Sequence, residues 1–251
     1  MSSTIWTQCA GGSELRALRL EPWRAVEAQH QVSTRKLVDS DAEQQLLEEM
    51  IDAAKPADRT RGRLHYLLST PFRYPPLRYG SRFGGRHEPG IWYGAETQRT
   101  AFAEVAYYRL LFLEGTKADI GLVQTELTLF RATLATQHGI DLTHPPFDAH
   151  RAALTSPTSY SVTQALGADM RAAGVEAFRY TSARDPDAGA AVGAFAPAVF
   201  GRRQPRSLET WHCAASRLRV EFTRRDYFRR ASHMFEREVF LVDGSMPSPA
   251  T

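Results

Sequence analysis

Apolar and polar positions along this chain alternate with two different periods, and the change of period marks its elements. After about twenty residues without a strong period, Trp23-Arg24-Ala25-Val26 sets an arginine between apolar neighbours, as in a strand with one polar member directed somewhere particular. Ser40 followed by Glu43 forms a capping box. Leu46, Leu47, Met50, Ile51 and Ala54 then recur at helical spacing, and Lys55-Pro56 closes that helix. Asp58 to Arg63 is a charged loop, Leu64 to Leu68 reads as a strand, and Pro71 to Pro76 as a stiff extended link. The short aromatic run Ile91-Trp92-Tyr93, after Pro89-Gly90, predicts a buried strand. From Thr97 onward Phe102, Val105, Ala106 and Leu110 keep helical spacing, and Gly115 is placed to end the helix. Ile120 to Leu134 predicts one long strand or a pair, and Thr143 to Pro157 an irregular, proline-bearing connection. Val162, Leu166 and Met170 predict a short helix that Gly174 terminates; Val175 to Tyr180 predicts a strand that leaves in a turn at Ser182. Ala190 to Phe195, Val199-Phe200, Arg206 to Cys213 and Leu218 to Phe222 complete a strand-rich second half. Nothing repeats at a fixed period and no linker divides the chain, so the expectation is one α+β domain.

Length and composition agree with that picture. The 251 residues are enough to bury a substantial core, and 43% hydrophobic with 24% charged residues is ordinary for a soluble globular protein. No apolar run approaches the roughly 20 residues that span a bilayer. The opening MSSTIWTQCAGGSEL lacks the basic and apolar regions of a signal peptide, so a cytoplasmic location is expected. Cys9 and Cys213 are too few for a disulfide framework or a metal cluster, and the eight histidines show no ligand spacing, so no metal is expected. The net charge of +3 is unevenly placed: residues 201–237 hold ten arginines against four acids, a surplus of six. That stretch is expected to be a solvated basic face first and a partner surface second. It carries no recognition motif for nucleic acid, and direct nucleic-acid binding is not expected.

The chemistry concentrates between Arg78 and Arg109. Arg82, Tyr93 and Glu104 are spaced by 11 and again by 11, on what reads as loop, strand and helix in turn. Gly80, Gly84, Gly85, Pro89 and Gly90 make a turn-rich loop of a kind that can hold anions through backbone N–H groups. Each residue has a plainer reading as well. Arg82 could make a loop salt bridge, Tyr93 could pack beside Trp92, and Glu104 could pair with Arg99 or Arg109. Ser182 could be a turn serine bonding its own backbone, and Arg24 an exposed strand arginine. His65 is read as a satisfied histidine in or near the core, and His87 as a member of the basic loop. A dinucleotide-binding Rossmann motif is absent, since no GxGxxG lies between a strand and a helix.

The run GSRFGGRHEPGIWYGAETQRTAFAEVAYYR resembles the RES domain, a bacterial family named for an arginine, a glutamate and a serine, whose members are the toxin halves of toxin–antitoxin pairs. The resemblance extends upstream to WRAVEAQHQVSTRKLVDS, which supplies Arg24, and downstream to FRYTSARDPDAGAAVGAFAPAVF, which supplies Ser182; it covers about residues 20–200. It implies a fold like that of ADP-ribosyltransferases, with mixed or antiparallel sheets and flanking helices. NAD would be the substrate rather than a cofactor, cut at the nicotinamide–ribose bond with water or phosphate as acceptor, and a protein acceptor less expected. It implies Glu104, Arg82 and Ser182 as catalytic, and Arg24, Arg82, Tyr93 and Ser182 as NAD-binding. It also implies a helix-turn-helix antitoxin of the Xre type as partner, with homo-oligomerisation left open. The chain departs from the family pattern at Ala25, where many relatives carry an aromatic, and at Gly84, where many carry asparagine; both bear on pocket shape more than on reaction class. The expected organisation is a lead-in over 1–20, the NAD-cleaving domain over 21–237 and a tail over 238–251. A different class stays open beside it: a non-catalytic module that binds through the basic segment.

Overall fold

Among the described residues, short runs rich in β-branched, aromatic and other apolar residues, separated by turns, form ten strands that join one sheet. The computed structural model describes residues 4–28, 38–54, 63–74, 78–118 and 120–248. In chain order the strands are β1 (Arg16–Leu20), β2 (Trp23–Glu27), β3 (Trp92–Ala95), β4 (Val123–Arg131), β5 (Leu134–Asp141), β6 (Ala177–Thr181), β7 (Ala190–Ala194), β8 (Arg206–Ala215), β9 (Arg219–Arg224) and β10 (Ser232–Glu236). Their order across the sheet is β1-β5-β6-β7-β3-β2-β4-β8-β9-β10. Every neighbouring pair is antiparallel except β5 with β6, so the sheet is mixed and the fold is α+β. The helices are α1 (Ile5–Gln8), α2 (Asp41–Ala54), α3 (Tyr66–Arg73), α4 (Gln98–Gly115), α5 (Arg151–Leu154) and α6 (Ser161–Ala172). Among the described residues, no helix is long and apolar enough to cross a membrane.

Helix α4 begins at Thr97, whose hydroxyl accepts from the Thr100 N–H at 3.1 Å. It buries Ala101, Phe102, Ala103, Ala106, Tyr107, Leu110 and Leu113. Phe102 stacks on Phe222 and tilts against Trp211, which joins the helix to the β4-β8-β9-β10 half of the sheet. The other half has its own core, in which Leu166 and Met170 of α6 meet Phe83, Phe178 and Tyr180. Gly174, just past the end of α6, has φ +76°, a conformation glycine adopts without strain. Helix α2 is capped as expected, with Ser40 Oγ accepting from the Glu43 N–H at 3.2 Å, while the Glu43 carboxylate reaches back to the Asp39 N–H at 2.9 Å. Leu46, Met50 and Ile51 on that helix are exposed.

The structure corrects several local expectations. Residues 64–68 are not a strand. His65 caps α3, its ring nitrogen accepting from the Leu67 N–H at 3.3 Å, and the apolar run continues as helix through Pro71 and Phe72. A five-residue apolar run fits either period, and the capping side chain decides it. The link expected from Pro71 is therefore helical as far as Arg73, and Pro75 and Pro76 lie outside the described residues, as do Lys55-Pro56 and residues 58–62. Residues 5–20 hold a helical turn, a 3-10 turn and edge strand β1, paired with β5. The connection at 143–157 contains a 3-10 turn and α5, and Pro197–Val199 is a 3-10 turn rather than part of a strand. Among residues 238–248, Phe240 and Met246 are buried, and the Tyr107 hydroxyl donates to the Pro247 carbonyl.

Gly167 is where α6 presses on the loop before β3, since a Cβ there would lie 1.9 Å from the Phe83 carbonyl oxygen. Gly167→Ala is expected to push helix and loop apart and to cost about 1–3 kcal/mol of stability, read as a lower urea midpoint at unchanged slope.

Candidate functional site

Strands β2 and β3 are neighbours in the sheet, yet they pair at a single position, Trp23 with Ala95. Beyond it they diverge, β2 staying with β4 over five residues and β3 with β7 over four. The gap opens into a cleft of about 800 Å³, within the range of small-molecule sites, lined by residues of β2, β3, α3, α4, β6 and the glycine loop. Arg24, Arg82, Tyr93 and Glu104 all line it.

Arg24 crosses the gap. Its Nη1 donates to the Tyr93 carbonyl at 2.5 Å, replacing a backbone bond that the diverging strand no longer supplies. Its guanidinium lies 5.4 Å from the Trp92 ring centroid, and its Nε has no hydrogen-bond partner among the described residues. Burial lowers its pKa to about 10, so it remains a cation at neutral pH. Arg82 is 7% exposed and meets no carboxylate among the described residues. Its Nη1 donates to the Ser156 and Leu154 carbonyls at 3.0 and 3.4 Å, its guanidinium covers the Tyr160 ring at 4.8 Å, and its Nη2 has no partner. Among the described residues this buried cation is balanced by carbonyl dipoles and a ring face, an environment that favours an added anion.

Five N–H groups of the glycine loop are already bonded within the chain. The N–H groups of Ser81, Gly84 and Glu88 bond loop carbonyls, that of Gly85 bonds the Glu88 carboxylate at 2.6 Å, and that of Phe83 bonds the Tyr93 hydroxyl at 3.1 Å. These donors are spent holding the loop's own shape. Tyr93 is thus the loop's anchor as well as a wall of the cleft; Ser81 Oγ also meets its hydroxyl at 3.0 Å.

Glu104 sits on α4 after three fully enclosed positions and turns toward the cleft. It pairs with neither Arg99 nor Arg109: Arg99 bridges Asp185 at 2.9 Å and Asp187 at 3.0 Å, and Arg109 pairs with Glu27. Instead Glu104 Oε1 accepts from Ser182 Oγ at 2.6 Å. Ser182, 3% exposed, lies one layer behind the cleft wall, in contrast to the expected contact with ribose or nicotinamide. Its oxygen also accepts from the Arg184 and Asp185 N–H groups, both at 3.1 Å, so it is a turn serine and a carboxylate holder at once. Asp185 completes the clamp through Thr100 Oγ1 at 2.7 Å on the first turn of α4.

Tyr108, Tyr160 and Tyr180 line the same cleft. The hydroxyls of Tyr108 and Tyr160 lie 3.3 Å apart. Sequence reasoning passed over all three. For Tyr180 a signal existed, because it lies on β6 two residues before Ser182, which follows directly on the end of that strand. In the basic stretch, Arg206, Arg219, Arg224, Arg225 and Arg237 make ion pairs with carboxylates, so half of its ten arginines are already engaged within the chain.

The fold is a mixed α+β sheet whose gap gathers two arginines, a held carboxylate and a wall of tyrosines in one cleft of small-molecule size. The model of the RES domain matches residues 56–216, more than half of the chain, and the chain belongs to that family. The match contains Arg82, Tyr93, Glu104 and Ser182, while Arg24 and the β9–β10 hairpin lie outside it. Membership is consistent with an NAD-related enzyme of a toxin–antitoxin system. No curated protein matches the chain.

Ser182→Ala leaves two buried N–H groups without their acceptor and is expected to cost about 1–3 kcal/mol, measured by urea unfolding. A second expectation concerns pH. Burial raises Tyr93 and Tyr107 to about 12, and also lifts Tyr180 and Tyr108 well above the ordinary tyrosine value of 10. Groups raised in the folded state contribute stability that is complete below pH 10 and is lost as pH rises toward 12. Unfolding free energy followed upward from neutral pH should fall across that window, and less steeply in Tyr93→Phe.

Proposed function

We propose that this chain is an NAD-consuming enzyme, the toxin half of a bacterial toxin–antitoxin pair, which cleaves the nicotinamide–ribose bond with water or phosphate as acceptor. The observation that carries this reading is Glu104, a carboxylate fixed by Ser182 in the wall of a cleft that also holds two guanidiniums. NAD combines an anionic diphosphate with a ribose that bears a cationic pyridinium. Arg82, through its uncommitted Nη2, and Arg24 suit the diphosphate, because a guanidinium stays charged and forks onto phosphate oxygens. Tyr93 and its neighbouring tyrosines provide flat walls for the ring. Cleavage sends the electron pair of the C1′–N bond to the pyridinium nitrogen, and nicotinamide leaves neutral. The ribosyl cation that develops is stabilised by the Glu104 carboxylate. The acceptor oxygen then bonds C1′ and releases its proton.

Ser182 acts in this scheme by positioning: it holds one carboxylate oxygen and leaves the other to face the sugar. Water as acceptor makes the enzyme a glycohydrolase, phosphate a phosphorylase, and a protein side chain an ADP-ribosyltransferase. The expected partner is a helix-turn-helix antitoxin that closes the cleft. A binding module acting through the basic segment is the weaker reading, because internal ion pairs engage half of its arginines.

Purified protein incubated with NAD, with and without phosphate, should release nicotinamide and either ADP-ribose or its phosphorylated form. Glu104→Gln, which removes the charge and keeps the shape, should lower the rate roughly a hundredfold or more. NAD left intact by folded wild-type protein would sink the reading.

A further inference from the structure

Tyr180 occupies the middle of the cleft wall and has no part in the scheme so far. It is 4% exposed, and its ring is held by Phe83 at 4.9 Å, Phe178 at 5.7 Å and Tyr93 at 6.4 Å between centroids. Its strand is paired on one side to β7, with Tyr180 opposite Ala191. Neither backbone nor ring has room to turn, so the direction of the hydroxyl is fixed.

The other tyrosines of this region use their hydroxyls within the chain. Tyr93 bonds Ser81 and Phe83, Tyr108 meets Tyr160, and Tyr107 donates to Pro247. Among the described residues the Tyr180 hydroxyl makes no such bond, although Tyr180 lines the cleft. Burial, with the negative charge of Glu104 as the next cause, keeps it protonated well past neutral pH, and Arg82 also acts on it. A neutral O–H therefore belongs to the same cleft lining as Glu104, Arg24 and Arg82.

We propose that Tyr180 is a further substrate-binding residue, its hydroxyl donating to a hydroxyl oxygen of the ribose on which Glu104 acts. This rests on the NAD reading above. The chemistry selects the sugar: phosphate oxygens are better served by the two guanidiniums, and the pyridinium cation gains little from a neutral donor. The carboxylate and the phenol then approach one ribose from adjacent sides. Binding energy at the sugar fixes the anomeric carbon against Glu104, which is how a remote hydrogen bond contributes to rate.

The test compares Tyr180→Phe, which keeps the ring, with wild type for kcat and KM on NAD and on NAD lacking one hydroxyl of the nicotinamide ribose. NAD binding is measured beside this by calorimetry in Glu104→Gln, with and without Tyr180→Phe, and thermal melting controls for folding. The expected result is a roughly ten- to hundredfold loss of kcat/KM on NAD, a much smaller loss on the deoxy analogue whose hydroxyl Tyr180 contacts, and weaker NAD binding in the double variant. Equal losses on NAD and both deoxy analogues, or unchanged NAD binding, overturn the proposal while the NAD reading stands. If wild type neither cleaves nor binds NAD, both fall together. Should Tyr180→Phe fail to fold, Tyr180→Trp, which removes the phenol and keeps an aromatic, is put through the same comparison.

Discussion

A sheet holds together through its ladder bonds, and here one ladder is interrupted. Between β2 and β3 the strands meet at Trp23 and Ala95 and then separate. Opening a sheet at its centre strands polar backbone groups that water or protein must satisfy. Arg24 answers that demand at the Tyr93 carbonyl. The same side chain therefore closes the backbone account of β3 and brings a positive charge into the gap. Moving β2 would release both, so the cleft and its charge depend on one geometry.

A second set of bonds fixes the opposite wall. Arg99 and Thr100 on the first turn of α4 grip Asp185, the loop around Asp185 presents its N–H groups to Ser182, and Ser182 holds Glu104. The carboxylate is thus oriented by residues about eighty positions away in sequence. Because the chain of contacts returns to the same helix that carries Glu104, the helix and the turn after β6 move as one body. The Glu104 side chain needs only its final rotamers to be set, and the serine does that.

How much of this could be read from the sequence depends on the range of the interaction involved. Helix α4 and strand β3 were legible because a capping threonine, a terminal glycine and an aromatic run are local signals. The gathering of Arg82, Tyr93 and Glu104 followed from their spacing on successive elements together with the family resemblance. Leu64 to Leu68 went wrong because a short apolar run has no period of its own, and a histidine cap is an uncommon start signal. Edge strands β1 and β10 escaped notice for a different reason: half-exposed strands of mixed composition carry little alternation, and pairing with β5 and β9 makes them. Ser182 was placed at its turn, but its position behind Glu104 is set by contacts seventy-eight residues apart.

The glycine loop shows how a local signal can be read correctly and still mislead. Its turns are present, yet they are built from its own N–H groups, which leaves those donors nothing for a ligand. The arginines that line the cleft without a carboxylate partner among the described residues are Arg24 and Arg82. Two guanidiniums against the one carboxylate of Glu104 leave this cluster with a net positive charge, in a place where burial weakens screening. On the proposed reading, an anionic dinucleotide would compensate it. A positively charged pyridinium within that dinucleotide would be drawn to Glu104 and repelled by the arginines, so the field orients the ligand before any shape-specific contact is made. The polarity of the cleft, more than any one bond in it, argues that the scissile end lies beside Glu104.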